Sequence, residues 1–149
     1  MNRMNRMTML AVLLVAVALR MASGVVLAKD VSCGPPASGS CVGTNRSDGI
    51  FGTTGNDEIS GRDGSDTITG DFPYFSGAGN DTIRSGDGDD TIYDFNGGGD
   101  IDQVFGGKGN DYINVADGDA LDEVDCGPGK DEVKADPGDT VADNCEKVS

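Results

Sequence analysis

The sequence predicts an all-β protein, a right-handed parallel β-solenoid of nine-residue repeats wound two per coil. Three observations carry that expectation: a composition built for turns, a nine-residue period, and too few apolar residues for a broad core. The 149 residues are only 36% hydrophobic and include 24 glycines. Of the 26 acidic residues, 22 are Asp and four are Glu, whereas a generic solvated surface uses Glu freely. Gly and Asp together favour turns, Gly by reaching positive φ at no steric cost and Asp by bonding to local backbone. The formal charge of −15 argues against nucleic acid and anionic membrane as partners and points toward cations. The chain has no histidine, which removes the usual general base and the commonest transition-metal ligand.

The first element is a leader. MNRMNR supplies two arginines, MTMLAVLLVAVAL is an apolar run, and Val26 and Ala28 stand at the −3 and −1 positions of a small-residue cleavage site. Residues 1–28 are therefore expected to be a signal peptide, cut after Ala28, and the protein to be secreted. The alternative, an uncleaved anchor, is opposed by Arg20 inside it and by an apolar run shorter than the ~20 residues a bilayer requires. Residues 29–42 then read as an N-terminal cap segment holding Cys33 and Cys41, and Cys126 and Cys145 lie close together at the other end. Four cysteines permit three connectivities, and the local pairs Cys33–Cys41 and Cys126–Cys145 are the expected ones in an exported chain. A zinc site is disfavoured, because the chain contains neither Cys-x-x-Cys nor His.

From Gly43 the chain repeats itself. GTNRSDGIF from Gly43, GTTGNDEIS from Gly52, GRDGSDTIT from Gly61, SGAGNDTIR from Ser76, SGDGDDTIY from Ser85 and GGKGNDYIN from Gly106 are six of ten nine-residue units that run to about residue 142. Nine units keep Asp at the sixth position and Ile or Val at the eighth. The Gly-rich first six residues form a turn, and the last three form a short strand whose β-branched side chain points inward. No single strand of this kind buries anything alone. Two units per coil place Ile50, Ile68, Ile92, Ile113 and Val133 in one parallel sheet and Ile59, Ile83, Val104 and Val124 in a facing one. Three insertions interrupt the period: Gly70 with DFPYF, Asp94 to Asn96, and Val115 with Ala116. All three fall before even-numbered units, so one edge of the solenoid stays regular and the other varies. Residues 143–149 close the chain at an end stapled by Cys145.

The units GGKGNDYIN and SGDGDDTIY resemble the hemolysin-type calcium-binding repeat of the RTX family, whose pattern is G-G-x-G-x-D-x-U-x with U a large apolar residue. The resemblance spans Gly43 to about Ala142 and implies a parallel β-roll that binds Ca²⁺. Ca²⁺ takes six to eight oxygen ligands from carboxylates and backbone carbonyls, and stacked Gly-rich turns present both. On the regular edge the expected ligands are Asp66, Asp90, Asp111 and Asp131, with carbonyls of Gly64, Gly88, Gly109 and Gly129. Asp48 begins that column, although Arg46 replaces the fourth-position Gly there. On the insertion edge Asp57, Asp81, Asp102 and Asp122 are the equivalents, but Asp100 and Ala120 replace the fourth-position Gly, so fewer or altered sites are expected. Asp63, Asp87 and Asp89 read as solvated charges. Phe72, Pro73, Tyr74 and Phe75 read as a small hydrophobic plug or as a binding patch.

A thin column of Ile and Val cannot by itself offset the ordering entropy of about 120 residues, so folding coupled to ion binding is expected. The leading functional expectation is a secreted, non-catalytic calcium-binding β-roll. The alternative is an extracellular adhesive or interaction module whose insertion-bearing edge binds a cell-surface glycan or protein. Enzyme chemistry is disfavoured, since no Ser or Cys has a recognisable activating base and nothing marks one Asp pair apart from its repeat equivalents.

Overall fold

The computed structural model describes residues 29–34, 38–71, 79–94, 99–118 and 121–149. The leader at 1–28 and the aromatic insertion Phe72 to Phe75 lie outside the described residues. The described chain forms thirteen strands and no helix. They are β1 Asp30–Ser32, β2 Gly39–Val42, β3 Gly49–Phe51, β4 Asp57–Asp63, β5 Thr67–Thr69, β6 Thr82–Asp87, β7 Thr91–Tyr93, β8 Gln103–Lys108, β9 Tyr112–Asn114, β10 Glu123–Asp125, β11 Glu132–Lys134, β12 Thr140–Val141 and β13 Lys147–Val148.

Odd strands make one seven-stranded sheet in the order β1-β3-β5-β7-β9-β11-β13, and even strands make a six-stranded sheet in the order β12-β10-β8-β6-β4-β2. Every strand pairs in parallel with the strand one coil away, which is the predicted solenoid with two repeats per coil. The stacking of eighth-position residues is also as predicted. Ile50 pairs with Ile68, Ile68 with Ile92, Ile92 with Ile113 and Ile113 with Val133 in one sheet. Ile59, Ile83, Val104 and Val124 pair successively in the other. All nine are buried and form one core layer between the sheets. Their neighbours at the seventh and ninth positions face outward, because side chains alternate along a strand.

The structure extends this core beyond the repeats. In the segment expected as a cap, Val31 pairs with Ile50 and Cys41 with Ile59, so residues 29–42 add strands to both sheets. At the other end Val141 pairs with Val124 and Val148 with Val133. The disulfides Cys33–Cys41 and Cys126–Cys145 have formed, with Cα separations of 4.8 and 5.3 Å, so each end of the roll is stapled.

One detail of the insertions differs from the sequence register. The residue that follows each strand of the seven-stranded sheet keeps a ladder hydrogen bond: the Gly70 N–H donates to Tyr93 O at 3.0 Å, the Asp94 N–H to Asn114 O at 2.8 Å, and the Val115 N–H to Lys134 O at 2.9 Å. Gly52, Gly70, Asp94 and Val115 are therefore the true first residues of successive insertion-edge turns. Gly70, Asp94 and Val115, counted as inserted by the nine-residue alignment, thus belong to the repeating ladder.

Candidate metal centre

At the regular edge the chain crosses between sheets through residues 43–48, 61–66, 85–90, 106–111 and 126–131. These turns stack with continuous backbone hydrogen bonding: the Gly64 N–H donates to Asp87 O and the Gly88 N–H to Lys108 O, both at 2.7 Å, and the Gly109 N–H to Pro128 O at 3.1 Å. Positive φ recurs at the second position, in Arg62, Gly86, Gly107 and Gly127, and at the fourth, in Gly64, Gly88 and Gly109. A side chain at Gly107 would collide with the carbonyl of Gly86 in the adjacent coil. Glycine here is thus required by close approach as well as by φ.

The sixth-position aspartates turn inward. Asp66, Asp90, Asp111 and Asp131 are all buried, and each uses Oδ1 to accept the backbone N–H of the Asp one coil earlier. The Asp48 N–H donates to Asp66 at 2.8 Å, Asp66 to Asp90 at 2.7 Å, Asp90 to Asp111 at 2.9 Å and Asp111 to Asp131 at 2.8 Å. The Asp131 N–H in turn donates to Glu146 at 2.8 Å, which closes the column. The second oxygen, Oδ2, of Asp66, Asp111 and Asp131 is buried without a hydrogen-bond partner. A buried carboxylate oxygen left bare costs several kcal/mol unless a cation or a proton reaches it. For Asp66 and Asp111 the slot that Oδ2 faces is kept open by a first-position glycine. A methyl placed on Gly106 would stand 2.6 Å from Cys126 O and 2.8 Å from Asp111 Oδ2, so a backbone carbonyl and a bare carboxylate oxygen converge there. Gly61 shows the same convergence of Ser85 O and Asp66 Oδ2. In the coil between, the Ser85 hydroxyl donates to Gly106 O.

The electrostatics carry the same message. Burial, together with the facing charges of Asp90 and Asp48, pushes the Asp66 carboxyl up to about 7. Burial and the charges of Asp90, Asp131 and Asp89 bring Asp111 to about 7. Asp90 is raised by burial and the charge of Asp89, against the hydrogen bond it receives from the Asp66 N–H, and Asp131 is raised by burial too. Asp48 behaves oppositely. Its Oδ1 accepts the Lys29 N–H at 3.1 Å, and its Oδ2 accepts the Thr44 N–H and, at 2.9 Å, the Thr44 hydroxyl. Burial raises its carboxyl, but these hydrogen bonds outweigh burial and hold it below the usual value. At this end of the column the protein itself supplies what the later turns leave open.

The fourth-position carbonyls of Gly64, Gly88 and Gly109 point along the stack, each lying against the glycine of the next turn, Gly88, Gly109 and Gly129. The first-position carbonyls of Ser85 and Cys126 meet the bare Oδ2 atoms of Asp66 and Asp111. Carbonyls leave no residue-type signature, so only the backbone path could reveal them. Asp63, Asp87 and Asp89 are exposed; Asp87 pairs with Lys108 at 2.7 Å, and Asp89 accepts the Asn110 N–H at 2.8 Å.

On the insertion edge the same ladder recurs. The Asp57 N–H donates to Asp81 at 2.8 Å, Asp81 to Asp102 at 2.7 Å, Asp102 to Asp122 at 3.0 Å and Asp122 to Asp139 at 3.3 Å. Asp57, like Asp48, is met by a second-position threonine, whose hydroxyl donates to its Oδ2 at 2.8 Å. Burial raises Asp81 to about 8 and Asp102 to about 7, with neighbouring carboxylates adding to it. Three further aspartates, Asp71, Asp94 and Asp100, are buried here, and the repeat pattern had marked none of them as a ligand. Asp71 and Asp94 stood in its insertions, where a nine-residue alignment assigns no role.

Stacked turns that converge bare carboxylates and backbone carbonyls, on a scaffold with an all-oxygen donor set, define a β-solenoid suited to a hard divalent cation. A family model for the RTX calcium-binding nonapeptide repeat matches the chain in four copies across residues 42–72, 75–93 and 94–119, and the chain belongs to this family. Neither a curated protein nor a solved structure gives a match.

Proposed function

We propose that the protein is a secreted, non-catalytic calcium-binding β-roll whose regular edge is ordered by ions held between successive turns. Asp66, Asp90, Asp111 and Asp131 supply the carboxylates, and the carbonyls of Ser85 and Cys126 supply backbone oxygens to the slots that Gly61 and Gly106 keep open. The observation that carries this reading is the burial of the Oδ2 atoms of Asp66, Asp111 and Asp131 without hydrogen-bond partners. Ca²⁺ suits oxygen-only sites of this kind, and its charge would offset the repulsion between carboxylates in adjacent coils. Asp48 acts as the structural end of its column, with Thr44 and the Lys29 N–H in place of an ion, whereas at Asp57 Thr53 meets only Oδ2 and Oδ1 stays bare. The proposed organisation is a signal peptide at 1–28, a capping coil at 29–42, the ion-binding roll at 43–142 and a stapled end at 143–149. Two formed disulfides support an oxidising compartment.

Calcium titration calorimetry tests this. Asp66→Asn and Asp111→Asn keep the Oδ1 acceptor for the preceding coil while removing the charge, and each is expected to weaken binding by about tenfold or more. Asp87→Asn, at an exposed position, is the control that should leave binding unchanged. Equal calcium affinity in all three would refute the assignment of the regular edge. The interaction-module alternative draws on Ile101 and Leu121, which stay 45% and 46% exposed at the fifth position of neighbouring insertion-edge turns.

A further inference from the structure

The insertion edge contains a cluster that the nine-residue pattern does not specify. One carboxylate oxygen each from Asp71, Asp81 and Asp94 lies within 4.8 Å of the other two. All three residues are buried, with exposures of 1%, 1% and 3%. The Oδ2 atoms of Asp81 and Asp94 accept no hydrogen bond. Ligands bound at about 2.3 to 2.6 Å stand at most about 5 Å apart across an ion, so one cation can touch all three carboxylates.

The backbone explains how they meet. Asp94 occupies the first position of its turn, where Gly52 and Gly70 stand in the two preceding coils. Its side chain reaches back over Gly70, where a Cβ would lie 2.6 Å from both Cγ and Oδ2 of Asp94. The absence of a side chain at Gly70 is therefore what admits the carboxylate. Asp71 follows Gly70 directly and opens the inserted segment, and its carboxylate accepts the Gly79 N–H on the far side of that segment. Asp81 arrives from the sixth position just beyond. Burial raises the carboxyl of Asp94 well above its usual value, and the charges of Asp102, Asp81, Asp71 and Asp122 add to it in that order.

We propose that Asp71, Asp81 and Asp94 form a second kind of cation site, a buried three-carboxylate cage that takes one hard divalent ion and fastens the base of the inserted segment to the next coil. It rests on the reading of the roll as a cation binder but differs from the regular-edge slots in chemistry. Three side-chain charges meet at one point here, and two of them come from residues outside the sixth-position column. The donors are all carboxylate oxygens, which selects Ca²⁺-like ions over the softer metals that prefer nitrogen or sulfur. The higher ligand charge predicts the tighter binding of the two classes.

Equilibrium dialysis of the full protein with Ca²⁺ tests this, using Asp94→Asn, Gly70→Ala and the regular-edge variant Asp111→Asn. Gly70→Ala retains every carboxylate and blocks only the space that Asp94 fills. Asp94→Asn and Gly70→Ala are each expected to lose one ion per chain, from the tight class, while Asp111→Asn loses binding from the weaker class. Wild-type stoichiometry and affinity in both insertion-edge variants would overturn the proposal and leave the regular-edge reading standing, whereas an unmodified protein that binds no calcium would overturn both. Should both variants fail to fold, anomalous diffraction from wild-type crystals grown with Mn²⁺ or Tb³⁺ decides. A peak between Asp71, Asp81 and Asp94 supports the cage, and peaks confined to the regular edge overturn it.

Discussion

Arg62 is the only described non-glycine residue with positive φ, at 82°, and it stands where Gly86, Gly107 and Gly127 stand in later coils. A left-handed conformation costs an L-residue roughly 1–2 kcal/mol, part of which a glycine's extra freedom in the unfolded chain cancels. Arg62→Gly is therefore predicted to stabilise the roll by up to about 1 kcal/mol, read as a lower calcium midpoint for folding. A lower stability would show that the Arg62 side chain contributes more than its backbone strain costs. Thr44 poses the converse test: Thr44→Val removes the hydroxyl bonded to Asp48 and is predicted to cost about 1 kcal/mol in denaturant unfolding. At this scale the sixth-position aspartates and eighth-position Ile and Val were legible in the sequence, because each recurs at fixed spacing. Asp71 and Asp94 were not, since their role depends on a carboxylate reaching across a coil into space left by Gly70.

The stacked turns, taken as elements, make the cation-free roll sensitive to pH. Burial, reinforced by like charges, raises Asp66, Asp102 and Asp111 to about 7 and Asp81 to about 8. Free Asp titrates near ~3.9 in an unfolded chain, so between those values the folded roll binds more protons than the unfolded chain. Stability then falls as pH rises. The cation-stripped protein is predicted to be most ordered near about pH 4 and to lose strand structure progressively toward about pH 8, which circular dichroism across that range would record. Calcium should reverse the trend, because it competes with protons for the same oxygens. Rising order from pH 5 to 8 without cations would contradict the column of bare carboxylates. The strands themselves were legible through β-branched residues at a constant step, and the coil spacings of 18, 24, 21 and 20 residues match the insertions read from the sequence. The strands at 30–32 and 39–42 were not, because Val31 and Cys41 occupy the core positions without the Gly and Asp that mark a repeat.

Across the whole molecule, a single layer of Ile and Val is flanked by two columns of buried aspartate, so the same turns that shape the roll also load it with charge. The staples at its ends limit the unfolded chain. Replacing Cys126 and Cys145 together by Ala, which opens a loop with a sequence separation of 19, is predicted to cost about 3 kcal/mol and to raise the calcium concentration needed for folding. An unchanged midpoint would place the stability of that end elsewhere. The most direct test of the central claim is a Ca²⁺ titration of the cation-stripped protein at neutral pH, followed by far-ultraviolet circular dichroism with Mg²⁺ as the control. A cooperative coil-to-strand transition with Ca²⁺ and none with Mg²⁺ is the predicted result. Full strand signal in chelator, unchanged by Ca²⁺, would contradict coupled folding and leave the buried aspartates as neutral, protonated parts of a disulfide-stapled scaffold.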